Sequence, residues 1–356
     1  MQIFDRNGFR SSQIHDHLGG VSDRFILHPY RLPFRAPLRT AHGVWAEREG
    51  WWIRRESADG DVTWGEVAPI PGFNGRGKSA CGEDLEELGS QPTPDVLAAL
   101  LARGGEPAFG VGATNWDWRA SIEPGPDYLP VAGLLPAGQA VFAAIDARLE
   151  MGFRTFKWKV GVADPNDEMA MLDDVLAKLP ERSRLRLDAN GAWDRRIAER
   201  WLSVCADRSM IEYVEQPVSA EDDDLLLGLA EDFPVPLALD ESVCGRRDFE
   251  RWRDRGWPGI YVIKPILWGD PADLVETLRD SGADVVISSG LETVVGARAV
   301  LAVAFALGKA TRALGTGVWP LFRPDGFDGP FVAPFVHKSD LLNLSFERVE
   351  REVTKI

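Results

Sequence analysis

Beyond Pro130 the chain alternates between short apolar runs and longer stretches with a helical period. The runs stand at Val131–Leu135, Thr155–Val160, Leu185–Asp188, Ile211–Glu215, Leu237–Asp240, Tyr261–Lys264, Val285–Ser288 and Arg312–Gly315. Between them lie seven helical candidates, among them Asp194–Ala206 and Pro271–Ser281. Repeated strand–helix units predict a parallel sheet. Eight strands close such a sheet into a barrel. This region is shorter than the roughly 250 residues typical of these barrels. Its loops must be tight, and the mouth then needs cover from elsewhere in the chain.

The preceding part reads differently. From Phe25 to Gly72 the pattern is β-rich, with a hairpin in which Trp51–Ile53 and Asp61–Trp64 flank a turn at Ala58, Asp59 and Gly60. Helical stretches follow near Cys81–Leu88 and Thr93–Arg103, and a Pro/Gly-rich joint spans Pro124–Asp127. The expected fold class is α/β: a (β/α)7β TIM-like barrel with an N-terminal α+β capping domain. The expected division is an extension over residues 1–24, the cap over 25–127, the barrel over 128–320, and a C-terminal segment, 321–356, that returns to the cap. The extension is polar and carries no chemistry that can be assigned.

Composition narrows the function. A chain of 356 residues with 45% hydrophobic positions can bury a sizeable core. A net charge of −15, spread along the chain, argues against a nucleic-acid surface. The three cysteines, Cys81, Cys205 and Cys244, are odd in number and far apart, which gives no disulfide framework and fits a reducing cytoplasm. No apolar run reaches the roughly 18 residues of a membrane span, and the N-terminus lacks a signal-peptide pattern. The expected partner is a small-molecule carboxylate, with no nucleic acid and no membrane.

The chemistry lies at the strand ends. Asp188, Glu215 and Asp240 end three consecutive strands, 27 and 25 positions apart, one strand–helix unit each. Equal phase on successive parallel strands sets side chains beside one another at the C-terminal rim, where such barrels do chemistry. Three carboxylates there repel unless a cation neutralises them, and a hard divalent ion such as Mg²⁺ suits a few carboxylates plus water and substrate oxygens. A single strand-end acid would instead read as the N-cap of the following helix; three in phase do not.

Lysines flank the acids. Lys157 and Lys159 are two positions apart on the second strand and so face the same way. Lys264 ends the sixth strand, 24 positions after Asp240. Strand interiors seldom carry lysine, and a buried lysine is costly without an acidic partner. Beside a metal–carboxylate centre, crowding by other cations favours the neutral amine that a general base needs. Alone, either strand-two lysine would pass as a solvated edge residue.

The motifs FKWKVG (Phe156 to Gly161), LDANGAW (Leu187 to Trp193), EQP (Glu215 to Pro217), LDES (Leu239 to Ser242) and IKP (Ile263 to Pro265) together resemble the muconate-lactonizing subgroup of the enolase superfamily. The likeness runs from about Tyr30 to Phe322. It implies Mg²⁺, with Mn²⁺ as a substitute, held by Asp188, Glu215 and Asp240. It also implies proton abstraction beside a carboxylate by Lys159, with Lys157 and Lys264 stabilising an enediolate. Asn190 and Glu241 are candidates for holding these groups in place, with a turn amide and a helix-start acid as their plain readings. Trp158, between the two lysines, is expected to point away from the interior into helix packing.

Within the subgroup, RLPFRAPLRTAHGVWAEREG (Arg31 to Gly50) and WGEVAPIPGFNG (Trp64 to Gly75) resemble the cap of the o-succinylbenzoate-forming branch. That branch dehydrates a succinyl-bearing hydroxycyclohexadiene carboxylate. The likeness implies that the Thr40, His42 and Gly43 loop closes over the mouth, with His42 read equally as a packing or hinge residue. Pro69, Pro71 and Phe73 would line the pocket, or simply form a Pro/Gly turn. Ser288, Ser289 and Gly290, with N–H groups entering a helix, would meet a substrate carboxylate. Thr316 and Gly317 would face substrate from the eighth strand. Dipeptide epimerases of the subgroup carry Asp-x-Asp at the eighth strand, and this chain has Gly315-Thr316-Gly317. The mandelate-racemase arrangement needs a histidine at the seventh strand, and none stands there. An N-succinylamino acid racemase, using Lys159 and Lys264 as opposed bases, needs the same metal and lysines and stays open. The other reading is a barrel that binds a metal or small acid without catalysis, and the intact set of three acids and three lysines speaks against it.

Overall fold

The computed structural model describes residues 23–40, 43–73, 77–308, 312–329 and 333–354. The chain opens with an antiparallel sheet of β1 (Arg24–Thr40), β2 (Gly43–Glu56) and β3 (Val62–Val67), in that order. β1 keeps its extended form through Pro29, Pro33 and Pro37 because it lies at the sheet edge, where a missing N–H need not break the ladder. Its register slips between Pro33 and Leu38, the stretch that holds Pro37. The expected hairpin joins β2 and β3, with Glu56 opposite Val62 and Gly60 at φ +90°.

Helices Gly77–Leu88, Pro94–Arg103 and Gly105–Asn115 cover this sheet. Phe25, Ile53, Val67, Leu85, Leu100 and Val111 form its core. The third helix was not expected. Residues Glu106 to Thr114 are all buried, so it has no polar face to produce an amphipathic period. It also carries glycine where the approach is closest: a Cβ on Gly65 of β3 would sit 1.9 Å from the carbonyl oxygen of Gly110.

A short strand, β4 (Tyr128–Pro130), leads into seven parallel strands in sequence order: β5 (Gly133–Leu135), β6 (Thr155–Lys159), β7 (Arg184–Asp188), β8 (Ile211–Glu215), β9 (Leu237–Leu239), β10 (Ile260–Ile263) and β11 (Val285–Ile287). Helices run between them, and Trp158 turns outward onto Trp201 of helix Arg195–Cys205 in an edge-to-face pair, centroids 6.5 Å apart.

The eighth strand is shorter than its sequence run. Two residues close the barrel: Leu314 bridges Val131 beside β5, and Gly315 bridges Ser288 beyond β11. Four backbone bonds make the seam, Leu314 N to Pro130 O at 2.7 Å, Ala132 N to Leu314 O at 2.9 Å, Gly315 N to Ile287 O at 2.9 Å and Ser289 N to Gly315 O at 3.5 Å. β12 (Phe335–His337) then pairs with β4. The chain also returns to the cap, where Phe322 bridges Phe34 and covers the free edge of β1. No helix among the described residues is long and apolar enough to cross a membrane. Cys81 and Cys205 are buried and Cys244 is half-buried.

Candidate active site

Register builds the site. Lys159 pairs with Asp188, Asp188 with Glu215, and Glu215 with Ala238, giving one rung across β6 to β9. Neighbours in a parallel rung point to the same face. Asp240 lies two residues past Ala238, so its side chain falls in line with Glu215. Ala238 pairs with Ile260, which puts Val262 and Lys264 on that face as well. Beneath this rim Tyr213, Ala238, Ile260, Val262 and Val286 pack into an apolar interior. The polar groups thus stand above an apolar layer at the C-terminal ends of the strands.

Two of the three lysines are in ion pairs. Lys157 Nζ donates to Glu215 Oε1 at 2.5 Å and lies 2.9 Å from Asp188 Oδ2. Lys264 Nζ donates to Asp240 Oδ1. Burial works against the Lys157 ammonium, but Asp188, Glu215 and Asp240 outweigh it and hold its pKa well above the usual lysine range. Lys264 is raised in the same manner, burial being overcome by Asp240 and Glu241. Lys159 differs: its partner is the neutral amide of Asn190, with Nζ 2.9 Å from Oδ1.

The acids are strained by their company. Asp188, Glu215 and Asp240 are 7%, 0% and 4% exposed. Burial, and then the repulsion of Asp188 and Asp240, push the Glu215 carboxyl up to about 8 against the pull of Lys157. Glu241 rises to about 7, from burial first and from Asp240 and Asp188 next.

Asn190 and Glu241 meet as a relay, Asn190 Nδ2 donating to Glu241 Oε1 at 3.1 Å and Asn190 N to Asp188 Oδ1 at 3.1 Å. Sequence reasoning missed Gln216, although it stands in the quoted EQP motif. This fully buried amide takes φ +37°. Its Oε1 accepts from Asp240 N at 3.0 Å and Ser242 N at 3.2 Å, and its Nε2 donates to Ser242 Oγ at 2.9 Å. It therefore ties the end of β8 to the turn that carries Asp240.

Around the mouth, Phe73 of the cap sets its ring over Lys264, with Nζ 4.5 Å from the centroid. His42 lies outside the described residues. Thr40 and Gly43 are opposed at the ends of β1 and β2, with Gly43 at φ +115°. The amides expected to receive a ligand carboxylate after β11 are engaged within the protein. Ser288 N donates to Ile263 O, Ser289 N to Gly315 O, Gly290 N to Glu292 Oε2 and Leu291 N to Ser289 Oγ. A helix start favours negative charge, and here the chain's own Glu66 supplies it, while Glu292 occupies Ser289 Oγ and Gly290 N. Thr316 is fully buried, and its Oγ1 has no partner among the described residues. Gly317 is placed by packing, since a Cβ there would lie 2.1 Å from the carbonyl oxygen of Ala132.

Among the described residues no group of three His, Cys, Asp or Glu side chains is gathered as a metal site, and Lys157 and Lys264 pair with carboxylate oxygens of Glu215 and Asp240. The donor set nonetheless fits a hard divalent ion. Three carboxylates converge on one rim, and the Oε2 atoms of Glu215 and Glu241 are buried without a hydrogen-bond partner.

Residues 140–334 match the family model described as enolase C-terminal domain-like. The o-succinylbenzoate synthase of Thermosynechococcus vestitus is 40% identical over 277 residues, which span 76% of this chain and 85% of that protein. That of Thermobifida fusca is 32% identical over 303 residues, 84% of this chain and 83% of the relative. The crystal structure of o-succinylbenzoate synthase from Thermosynechococcus elongatus BP-1, complexed with Mg in the active site, superposes with a TM-score of 0.79 at 35% identity. It covers 94% of this chain and 100% of that one. Strand-end acids, flanking lysines and these relationships converge: the chain belongs to the enolase superfamily, in the family of the o-succinylbenzoate synthases.

Proposed function

We propose that the chain catalyses the syn-dehydration of 2-succinyl-6-hydroxy-2,4-cyclohexadiene-1-carboxylate to o-succinylbenzoate, a step toward menaquinone or phylloquinone. The observation that carries the assignment of roles is the contrast among the lysines. Lys157 and Lys264 are paired with carboxylates, whereas Lys159 is held by a neutral amide. Lys159 is therefore the proton acceptor, and the other two are fixed positive charges.

Asp188, Glu215 and Asp240 would hold Mg²⁺, or Mn²⁺ in its place, which when bound supplies a Lewis acid for the substrate carboxylate. Lys159 removes the proton from the carbon beside that carboxylate. Lys157, on the same strand, faces the negative charge that develops as the enediolate forms. Lys159, now an ammonium, returns its proton to the departing hydroxyl on the same face, so water leaves and the ring becomes aromatic. Lys264 stands as a cation on the far side of the acids, beneath the Phe73 ring. The cap loop ending at Phe73 excludes water from this chemistry.

The test is an ultraviolet assay for o-succinylbenzoate formation, run beside a racemisation assay on N-succinyl amino acids. Dehydration that needs divalent cation, stops with EDTA and is lost in Lys159→Ala is the expected result. Racemisation without dehydration would replace this reading with the racemase. Absence of both, with magnesium bound in calorimetry, would leave a barrel that binds without catalysing.

A further inference from the structure

Two buried charged side chains of the cap reach into the barrel, and neither belongs to the acid–lysine centre. Glu66 on β3 and Arg48 on β2 are 1% and 2% exposed. Glu66 Oε1 accepts from Tyr30 OH at 2.5 Å and Thr293 N at 2.9 Å. Its Oε2 accepts from Thr293 Oγ1 at 2.5 Å and Gly296 N at 2.7 Å. A carboxylate of the cap thus satisfies the N-terminus of barrel helix Val294–Leu307, where free N–H groups and the helix dipole favour negative charge. Trp52 Nε1 adds a bond to Thr293 Oγ1 at 3.1 Å.

Arg48 makes the complementary contact. Its guanidinium donates to the carbonyls of Ala68 and Pro69 in the cap loop. It also donates to Gly290 O at 3.2 Å and Leu291 O at 3.1 Å in the barrel loop after β11. A planar fork with five donors can span two loops in this way; a lysine, a single point charge, cannot. The loops also touch directly, for a Cβ on Gly290 would stand 2.0 Å from Ile266 Cδ1 and 3.2 Å from Ile70 Cδ1. The cap loop ends at Phe73 above Lys264.

We propose that Arg48 and Glu66 are positioning residues: together they fix the cap loop 68–73 and the barrel loop 288–292 as one unit and so set the shape of the substrate side of the mouth. This rests on the reading of that mouth as the substrate site. They act through backbone and leave Asp188, Glu215 and Asp240 alone. Loops displaced by about 1 Å are enough to lower kcat/KM on the order of 10²-fold.

The test uses Arg48→Lys and Glu66→Gln in the full chain, with three readouts: kcat and KM for dehydration, Mg²⁺ affinity by calorimetry, and hydrogen–deuterium exchange by mass spectrometry. Glu66→Gln keeps the volume and serves if Arg48→Lys does not fold. Expected are a rise in KM that lowers kcat/KM about 10–100-fold, Mg²⁺ affinity within about threefold of the parent as the metal side is untouched, and faster exchange in 68–72 and 289–296 together. In Glu66→Gln, faster exchange at 68–72 is the signature of coupling, since among the described residues the Glu66 carboxylate bonds to Tyr30, Thr293 and Gly296 and to no residue of 68–72. Exchange rising in one loop alone or in neither, or Mg²⁺ affinity falling in step with kcat/KM, overturns the proposal. A parent protein without dehydration overturns the functional reading and not the coupling, which the exchange and calorimetry decide by themselves.

Discussion

Lys159 Nζ donates to Asn190 Oδ1 at 2.9 Å, so the proton acceptor of the proposed reaction is oriented by an amide with no charge. Asn190 is held in turn by Glu241, and its φ of +45° is a conformation asparagine tolerates better than most residues. Replacing it by aspartate keeps the shape and sets a carboxylate against Lys159. The opposite charge raises the lysine pKa. The acidic limb of the kcat/KM–pH profile of Asn190→Asp, where activity rises as the base loses its proton, should move up by about one unit or more. A limb in the same place would show that Asn190 does not address the base.

Lys264 separates dehydration from racemisation. Lys264→Arg keeps the charge beside Asp240 but offers no usable base, because a guanidinium stays protonated. The variant should retain measurable dehydration and lose any racemisation of N-succinyl amino acids, which needs a base on each face. Lys159→Ala should lose both, along with exchange of the substrate proton into deuterium oxide, by more than the roughly 10²–10⁴-fold of general base catalysis alone. Racemisation surviving in Lys264→Arg while dehydration disappears would reverse the two roles.

Glu292 gives the protein a pH-dependent stability. It is fully buried, and burial, with Glu66 adding repulsion, lifts its carboxyl from 4.5 to about 7. The folded state therefore holds this proton more tightly than the unfolded chain does. The stabilisation is fully present below about 4.5 and is lost as pH rises through about 7. Glu292→Gln keeps an acceptor for Ser289 and Gly290 and cannot ionise. Thermal unfolding should show the parent losing stability from pH 5 to 8 relative to this variant, by an amount on the order of 2–3 kcal/mol. Parallel melting curves across that range would remove Glu292 from the account.

Gly317 should not tolerate a side chain. The Cβ of alanine would fall 2.1 Å from the carbonyl oxygen of Ala132, a backbone atom at the barrel seam that has little room to move. Gly317→Ala is expected to cost about 1–3 kcal/mol, the usual range for overpacking. Urea unfolding monitored through the tryptophans would read it. A stability within a few tenths of the parent would mean that the seam yields.

The barrel and its acids could be read in the sequence because each depends on local signals repeated at a fixed interval. Ile211–Glu215 and Pro271–Ser281 fall where the apolar pattern put them, and Asp188, Glu215 and Asp240 share a phase that needs no knowledge of the cap. Helix Gly105–Asn115 escaped because burial on all sides erases periodicity. Arg48, Glu66 and Gln216 escaped for another reason. Glu66 works on residues 227 and 230 positions away, Arg48 on residues 242 and 243 away, and no local pattern records a partner at that distance. The amides after β11 were legible as an anion site, but the carboxyl groups that fill it are the protein's own.

The seam made by Leu314 and Gly315 has a consequence for how the protein is made. Two residues near the end of the barrel sequence join its first strand to its seventh. While the chain emerges from the ribosome, β5 to β11 can pair with one another in order, but the curled sheet keeps two unpaired edges until those residues arrive. Closure must overcome the entropy of bringing the most distant strands together, which makes it a late and slow event. In that interval the nascent barrel presents two strand edges that would accept a second chain, and it is then, more than in the finished fold, that chaperone cover has something to protect.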